Sequence, residues 1–146
     1  MKTRTKKVTM KKIRWSDFKP GVKIIVNNLL KKSNVRITST GEAIAGKYYN
    51  SKSFTSGTQY TLIFNSNGPI RVYLSQNKLV IDNISGPGIK VVKFTYDGTA
   101  LAEQTIQFYN RILAQQVDIY WACLYVGDEI FPMEWLPCWD DIQFKP

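Results

Sequence analysis

Few side chains in this chain are of the types that carry out catalysis or bind metals. There is no histidine, so histidine-based nucleophilic and acid–base catalysis are excluded. The cysteines are Cys123 and Cys138, whereas a structural zinc site usually needs four Cys or His ligands. Cys123 lies in an apolar run and Cys138 in a Trp-Leu-Pro-Cys-Trp segment. This context favours two buried free thiols, with a disulfide between them as the alternative.

The acidic residues near the C-terminus are the other candidates for chemistry. Glu134, Asp140 and Asp141 could supply a carboxylate pair for glycoside hydrolysis, which needs two carboxyl groups at a defined separation across a cleft. Acidic residues in such a position are more typical of solvated surface. Calcium ligation by Asp128, Glu129 or Asp140 would need a denser set of oxygen ligands. The sequence therefore predicts a non-enzymatic protein with no metal site and no cofactor.

Positive charge is concentrated at the N-terminal end. Residues 1–32 contain eleven Lys or Arg and only Asp17 as an acidic residue, a net charge of +10 in a chain whose total is +9. No stretch approaches the roughly 20 apolar residues that a membrane span needs. The basic start also lacks the apolar core of a signal peptide. We therefore expect the protein to act where it is made or to leave the cell within an assembly.

The basic segment also carries large apolar side chains. Trp15 and Phe18 cannot be buried within a short isolated segment, so they should dock on the body or on another chain. We predict an extended basic docking arm over 1–21, ended by a Lys-Pro-Gly turn, and one domain over 22–146. A solvated tail and a phosphate-binding tail that uses residues 2–14 are the alternatives. The predicted partner-docking residues are Lys6, Lys7, Lys11, Lys12, Ile13, Arg14, Trp15 and Phe18.

The remainder of the chain has a strand-like pattern. Short runs rich in Val, Ile, Tyr, Phe and Thr recur about every ten residues and are separated by Gly, Asn, Ser and Asp. This spacing predicts an all-β antiparallel sandwich or jelly roll. The segment 100–116 also matches a helical stripe, but we favour strands over 105–111 and 116–126. The other candidate strands are 22–27, 35–39, 59–65, 70–75, 78–82 and 89–96.

Three blocks of sequence resemble a known family. They are Asn-Leu-Leu-Lys-Lys-Ser at 28–33, Ser-Gly-Thr-Gln-Tyr-Thr-Leu at 56–62, and Val-Asp-Ile-Tyr-Trp-Ala-Cys-Leu-Tyr-Val-Gly-Asp at 117–128 followed by Trp-Leu-Pro at 135–137. In order and spacing they resemble the carbohydrate-binding-like jelly-roll modules of phage tail, fibre and minor virion proteins. The resemblance covers about four-fifths of the chain and leaves out the basic arm. Val126 stands where an acidic residue is usual in that family.

The resemblance implies a structural role and suggests where a ligand could bind. Sugar sites on such sandwiches combine aromatic faces with amides, and Tyr48, Tyr49 and Asn50, in a loop-like stretch, are the best candidates here. Tyr and Trp on strands more often serve cross-strand packing. We expect a multi-copy virion protein, made in the host cytoplasm and held in an acidic groove of a capsid, portal or tail component. The alternatives are a glycan- or host-receptor-binding adhesion module and a nucleic-acid-binding protein.

Overall fold

The computed structural model describes residues 12–14, 28–40, 44–84, 86–110, 115–127, 135–141 and 143–145, and these residues form an all-β structure. Two antiparallel sheets of four strands each make up the body, so the predicted all-β class is confirmed. None of the helical segments in the described part of the chain is long and apolar enough to cross a membrane.

The first sheet has the strand order β2-β9-β4-β7 and the second has the order β3-β8-β5-β6. A two-stranded parallel ladder pairs β1 with β10, and a short 3-10 helix, Trp139–Asp141, precedes β10. The strands are β1 (Lys12–Arg14), β2 (Ile37–Ser39), β3 (Ile44–Tyr49), β4 (Gln59–Ser66), β5 (Ile70–Leu74), β6 (Lys78–Ile84), β7 (Gly88–Thr95), β8 (Thr105–Asn110), β9 (Val117–Val126) and β10 (Gln143–Lys145).

The main core lies between the two sheets. Alternate residues of β4 point into it, and Phe64 meets Phe108 of the second sheet edge-on, with ring centroids 5.2 Å apart. Tyr48 of β3 contacts the same Phe108 ring at 6.0 Å. Leu124 of β9 is buried in the same cluster. Because both sheets contribute to one apolar cluster, the architecture is that of a β-sandwich.

A second cluster covers the outer face of the first sheet. Ile63 of β4 and Cys123 and Tyr125 of β9 point away from the main core and are buried against Trp135. The central strands β4 and β9 are therefore covered on both faces, which explains their nearly continuous apolar sequence.

The side chain of Asn28 joins three segments of the chain. Its Oδ1 accepts hydrogen bonds from the backbone N–H groups of Leu30 (3.0 Å) and Leu124 (2.9 Å), and its Nδ2 donates to the Leu136 carbonyl at 2.7 Å. Nδ2 also lies 3.2 Å from Ser33 Oγ, which accepts a hydrogen bond from Trp135 Nε1 at 3.0 Å. Because Asn28 is buried, these hydrogen bonds replace the hydrogen bonds to water that the polar groups lose on folding.

Most of the predicted strands within the described residues are confirmed. The alternation in 59–65 is correct, since Tyr60, Leu62 and Phe64 enter the main core. The ambiguous segment is a strand over Thr105–Asn110. The predicted strand 22–27 lies outside the described residues.

The strands β1, β3 and β10 were not predicted from the sequence, and β3 matters most for the candidate ligand site. Tyr48 and Tyr49 lie in β3, and the prediction that they belong to a loop is wrong. The stretch contains Gly41 and Gly46, and glycine is depleted in strands. Gly46 is instead required by packing, because a Cβ atom there would lie 2.8 Å from Cγ2 of Ile37 on the adjacent strand β2.

We predict that Asn28→Asp lowers the free energy of unfolding by about 3 kcal/mol, because a carboxylate oxygen would face the Leu136 carbonyl and a buried donor would be lost. Urea unfolding followed by tryptophan fluorescence measures this change. Asn77→Asp is the matched control, since Asn77 makes its hydrogen bond to the Ala100 carbonyl at an exposed turn. Equal losses in the two variants would contradict the junction role of Asn28.

Candidate binding site

The predicted docking arm falls largely outside the described residues. This applies to Lys6, Lys7, Lys11, Trp15 and Phe18. The structure describes the backbone of the other three predicted residues, which form β1. Lys12, Ile13 and Arg14 are paired in parallel with Gln143, Phe144 and Lys145 of β10, so this part of the basic segment is attached to the C-terminal end of the chain.

The three predicted sugar-binding residues do not form one surface. Tyr48 is only 4% exposed and its hydroxyl donates a hydrogen bond to the Val35 carbonyl at 2.5 Å. Asn50 is also buried, and its Oδ1 accepts a hydrogen bond from the Lys52 N–H. Tyr49 is 48% exposed, because side chains alternate along a strand and its neighbour Tyr48 points inward.

Tyr49 borders a cavity of about 430 Å³ at the edge of the two sheets. The strands next to it, β2 and β3, are each the edge strand of their sheet. The lining combines apolar side chains with lysines, and we call the lysines the basic rim. The lining residues are Lys31, Lys32, Val35, Ile37, Lys47, Tyr48 and Tyr49.

One backbone hydrogen bond ties the turn 31–35 to β3, and another closes the turn itself. The Lys31 N–H donates to the Tyr49 carbonyl at 2.9 Å, and the Val35 N–H donates to the Lys32 carbonyl at 3.3 Å. The Lys32 N–H donates to Asp141 Oδ2 at 2.6 Å. Lys32 has a φ of 51°, a left-handed conformation that costs a non-glycine residue about 1 kcal/mol. The surrounding contacts therefore hold a strained, exposed lysine at the rim.

The three lysines of the cavity differ in their electrostatic environment. Lys47 Nζ lies 2.8 Å from Glu103 Oε1 and 5.4 Å from the centre of the Tyr49 ring. The hydrogen bond to Glu103 raises the pKa of Lys47. Lys31 and Lys32 are exposed, and no carboxylate in the described part of the chain forms an ion pair with either ammonium group. The positive charge available to a ligand is therefore that of Lys31 and Lys32.

The acidic residues considered for catalysis are placed differently. Asp140 and Asp141 lie in the short 3-10 helix, where Asp141 binds the Lys32 amide, and Glu134 lies outside the described residues. No cluster of three or more potential metal ligands occurs within the described ranges. The Asp141 carboxylate has a structural part in holding the turn 31–35.

Both cysteines are buried free thiols. Burial raises the pKa of Cys123 from 9.0 to about 11, and Cys123 Sγ accepts a hydrogen bond from the Leu136 N–H at 3.4 Å. Burial also raises the pKa of Cys138, whose thiol lies 3.8 Å from the Leu29 carbonyl oxygen. Thiols with these pKa values are protonated at neutral pH and are poor nucleophiles.

The residues that form this cavity were only partly visible in the sequence. Tyr48 and Tyr49 were singled out as ligand candidates. Val35 and Ile37 were predicted only as part of a strand, and Lys31 and Lys32 only as part of the basic charge and of the block 28–33, whereas Lys47 was not considered. A two-residue lysine run followed by a strand and a Tyr-Tyr pair was the available signal. It does not show that these residues meet, because 31–37 and 47–49 are brought together by tertiary contacts.

Comparison of the chain with protein-family models, with curated proteins and with solved structures gives no match.

We predict that thiol-specific reagents modify the native chain slowly at pH 8 and modify both cysteines rapidly in denaturant, as measured by the absorbance of the released chromophore.

The raised pKa of Cys123 also predicts that the stability of the protein depends on pH. Its contribution to stability is complete below pH 9 and declines as the pH rises toward about 11, because the unfolded state then loses its proton first.

Cys123→Ala should reduce the fall of the unfolding free energy between pH 9 and 11, and part of the fall should remain because burial also raises the pKa of Tyr48. The comparison between variants is needed because Lys90, whose pKa is lowered by burial, acts in the opposite direction as the pH approaches its ordinary value of 10.5. An unchanged slope in Cys123→Ala would show that this thiol is not the titrating group.

Proposed function

We propose that this chain is a non-enzymatic structural protein of a bacteriophage particle. A jelly-roll body would be fixed to a larger virion component by the basic N-terminal segment, in several copies. The observation that supports the proposal best is the way the three family-like blocks interlock, because residues that define a family's fold are expected to bind one another.

The contacts among these blocks are direct. Asn28 and Ser33 of the first block bind Leu124, Leu136 and Trp135 of the third block through the hydrogen bonds described above. The second block continues into β4, where Thr61 is paired with Tyr125 of β9. The Thr61 hydroxyl also donates to the Gly127 carbonyl at 2.7 Å. The residues of the three blocks therefore make contacts that stabilise the fold, and this supports a packing and assembly role rather than a catalytic one.

The anchoring role of the N-terminal segment rests on its composition and on the position of β1. The pairing of β1 with β10 attaches Lys12–Arg14 to the C-terminal end of the chain, and Trp15 and Phe18 follow directly in sequence. We propose that these two rings enter an acidic groove on a capsid, portal or tail component. The surrounding cations would speed the encounter and orient the segment in the groove.

One observation favours glycan adhesion as a second candidate function. The exposed Tyr49 ring lies beside a cavity large enough for a small ligand. Nucleic-acid binding through residues 2–14 is supported by charge alone.

We expect the double variant Trp15→Ala, Phe18→Ala to bind particles assembled without this protein at least about tenfold more weakly than the wild type does. Apolar anchors dominate the binding energy of such interfaces. Co-sedimentation at low salt and at about 0.5 M salt measures the association, and circular dichroism checks the fold. Part of the wild-type association should survive high salt, because the apolar contacts are not screened.

The matched control is the double variant Tyr73→Ala, Tyr120→Ala, which removes two partly exposed rings from the body. If the folded arm variant associates normally, the anchoring proposal is wrong. If the wild-type protein and the arm variant both bind only particles that contain DNA, and both lose this binding steeply as the salt concentration rises, the chain is a nucleic-acid-binding protein instead.

A further inference from the structure

The cavity between β2 and β3 is lined by residues that lie outside the predicted arm over 1–21. It lies where the edge strands of both sheets meet, so a ligand can reach it from solvent without any opening of the core. Its volume of about 430 Å³ is at the lower end of ordinary ligand sites and is enough for one large side chain with its neighbours.

The apolar part of the cavity contains exposed side chains. Val35 is 60% exposed and Tyr49 48% exposed, and they line the same concave surface together with the mostly buried Ile37. Single exposed apolar residues are common on proteins and need no explanation. A concave group of them beside polar residues is characteristic of a site that buries an apolar group of a partner.

Two lysines of the basic rim carry charge that no carboxylate in the described residues balances. Lys31 and Lys32 are adjacent and exposed, whereas the charge of Lys47 is balanced by Glu103. The start of the turn that presents Lys31 and Lys32 is held by the Tyr49 carbonyl and the Asp141 carboxylate, and its far end is held by the Tyr48 hydroxyl, which donates to the Val35 carbonyl. These contacts keep Lys32, a non-glycine residue, in the strained left-handed conformation described above.

We infer that this cavity binds an acidic peptide segment of a partner protein. One apolar side chain of the segment enters between Val35, Ile37 and Tyr49, and flanking carboxylates lie against Lys31 and Lys32. A neutral sugar fits this chemistry less well, because hydroxyl groups need acceptors as well as donors. The side chains at the rim are ammonium donors, the Tyr48 hydroxyl is bound to the Val35 carbonyl, and the Glu103 carboxylate is bound to Lys47.

The test uses the full-length protein and a fluorescein-labelled pentapeptide with a central phenylalanine and two glutamates on each side. Fluorescence anisotropy gives the dissociation constant. Lys31→Gln combined with Lys32→Gln should weaken binding about tenfold, the effect of losing two partly exposed charge pairs. A peptide with serine in place of phenylalanine should bind the wild-type protein about tenfold more weakly.

Two further variants separate the site from general charge and from folding. Lys52→Gln combined with Lys93→Gln removes two exposed lysines that do not line the cavity, and binding should be unchanged. Lys32→Gly removes one ammonium group where glycine suits the backbone φ of 51°. It should weaken binding about threefold without lowering the melting temperature.

Several results would overturn the inference. These are equal losses in the two double lysine variants, equal affinity for the phenylalanine and serine peptides, and no binding at about 1 mM peptide. Displacement of the peptide by trigalacturonic acid, but not by an unlabelled copy of the serine peptide, would instead identify the cavity as an acidic-sugar site. None of these measurements involves Trp15 or Phe18. A negative result for the peptide site would therefore leave the proposed anchoring role intact.

Discussion

The buried amide of Asn28 is the interaction on which the arrangement of the chain depends. Its oxygen binds the N–H groups of Leu30 and Leu124, and its nitrogen binds the carbonyl of Leu136. No other side chain of similar size offers two acceptor positions and two donors in one plane. One residue therefore fixes the start of the body, the central strand β9 and the C-terminal segment relative to each other.

This junction determines how the outer face of the first sheet is covered. Ser33, five residues after Asn28, accepts a hydrogen bond from the indole N–H of Trp135. The Trp135 ring packs on Ile63, Cys123 and Tyr125. The inner face is covered by the second sheet through contacts such as Phe64 with Phe108. Since the central strands are buried on both sides, they have little surface left for binding. Sites for ligands and partners are therefore expected at sheet edges.

The cavity at the edge illustrates this relation between fold and function. The turn 31–35 that forms its rim begins directly after the Asn28 junction and is tied to the C-terminal segment through Asp141. Its apolar lining comes from the neighbouring edge strands β2 and β3, which approach closely because Gly46 leaves space for Ile37. The contacts that stabilise the fold thus also bring Lys31 and Lys32 to the same cavity as Val35 and Tyr49. A binding function at this place needs no additional structural element.

The sequence by itself determined the all-β class, the positions of most strands and the burial of both cysteines. These features follow from local patterns, such as the alternation of Tyr60, Leu62 and Phe64, which is visible within a short stretch of sequence. It also showed that histidine-based chemistry is excluded. Only the tertiary structure decided that Tyr48 is buried while Tyr49 is exposed, that Asn28 reaches Leu124 and Leu136, and that Lys31 and Lys32 share a cavity with Tyr49. The physical reason is that these contacts join segments distant in sequence, and a local pattern carries no information about which distant segment will lie beside it.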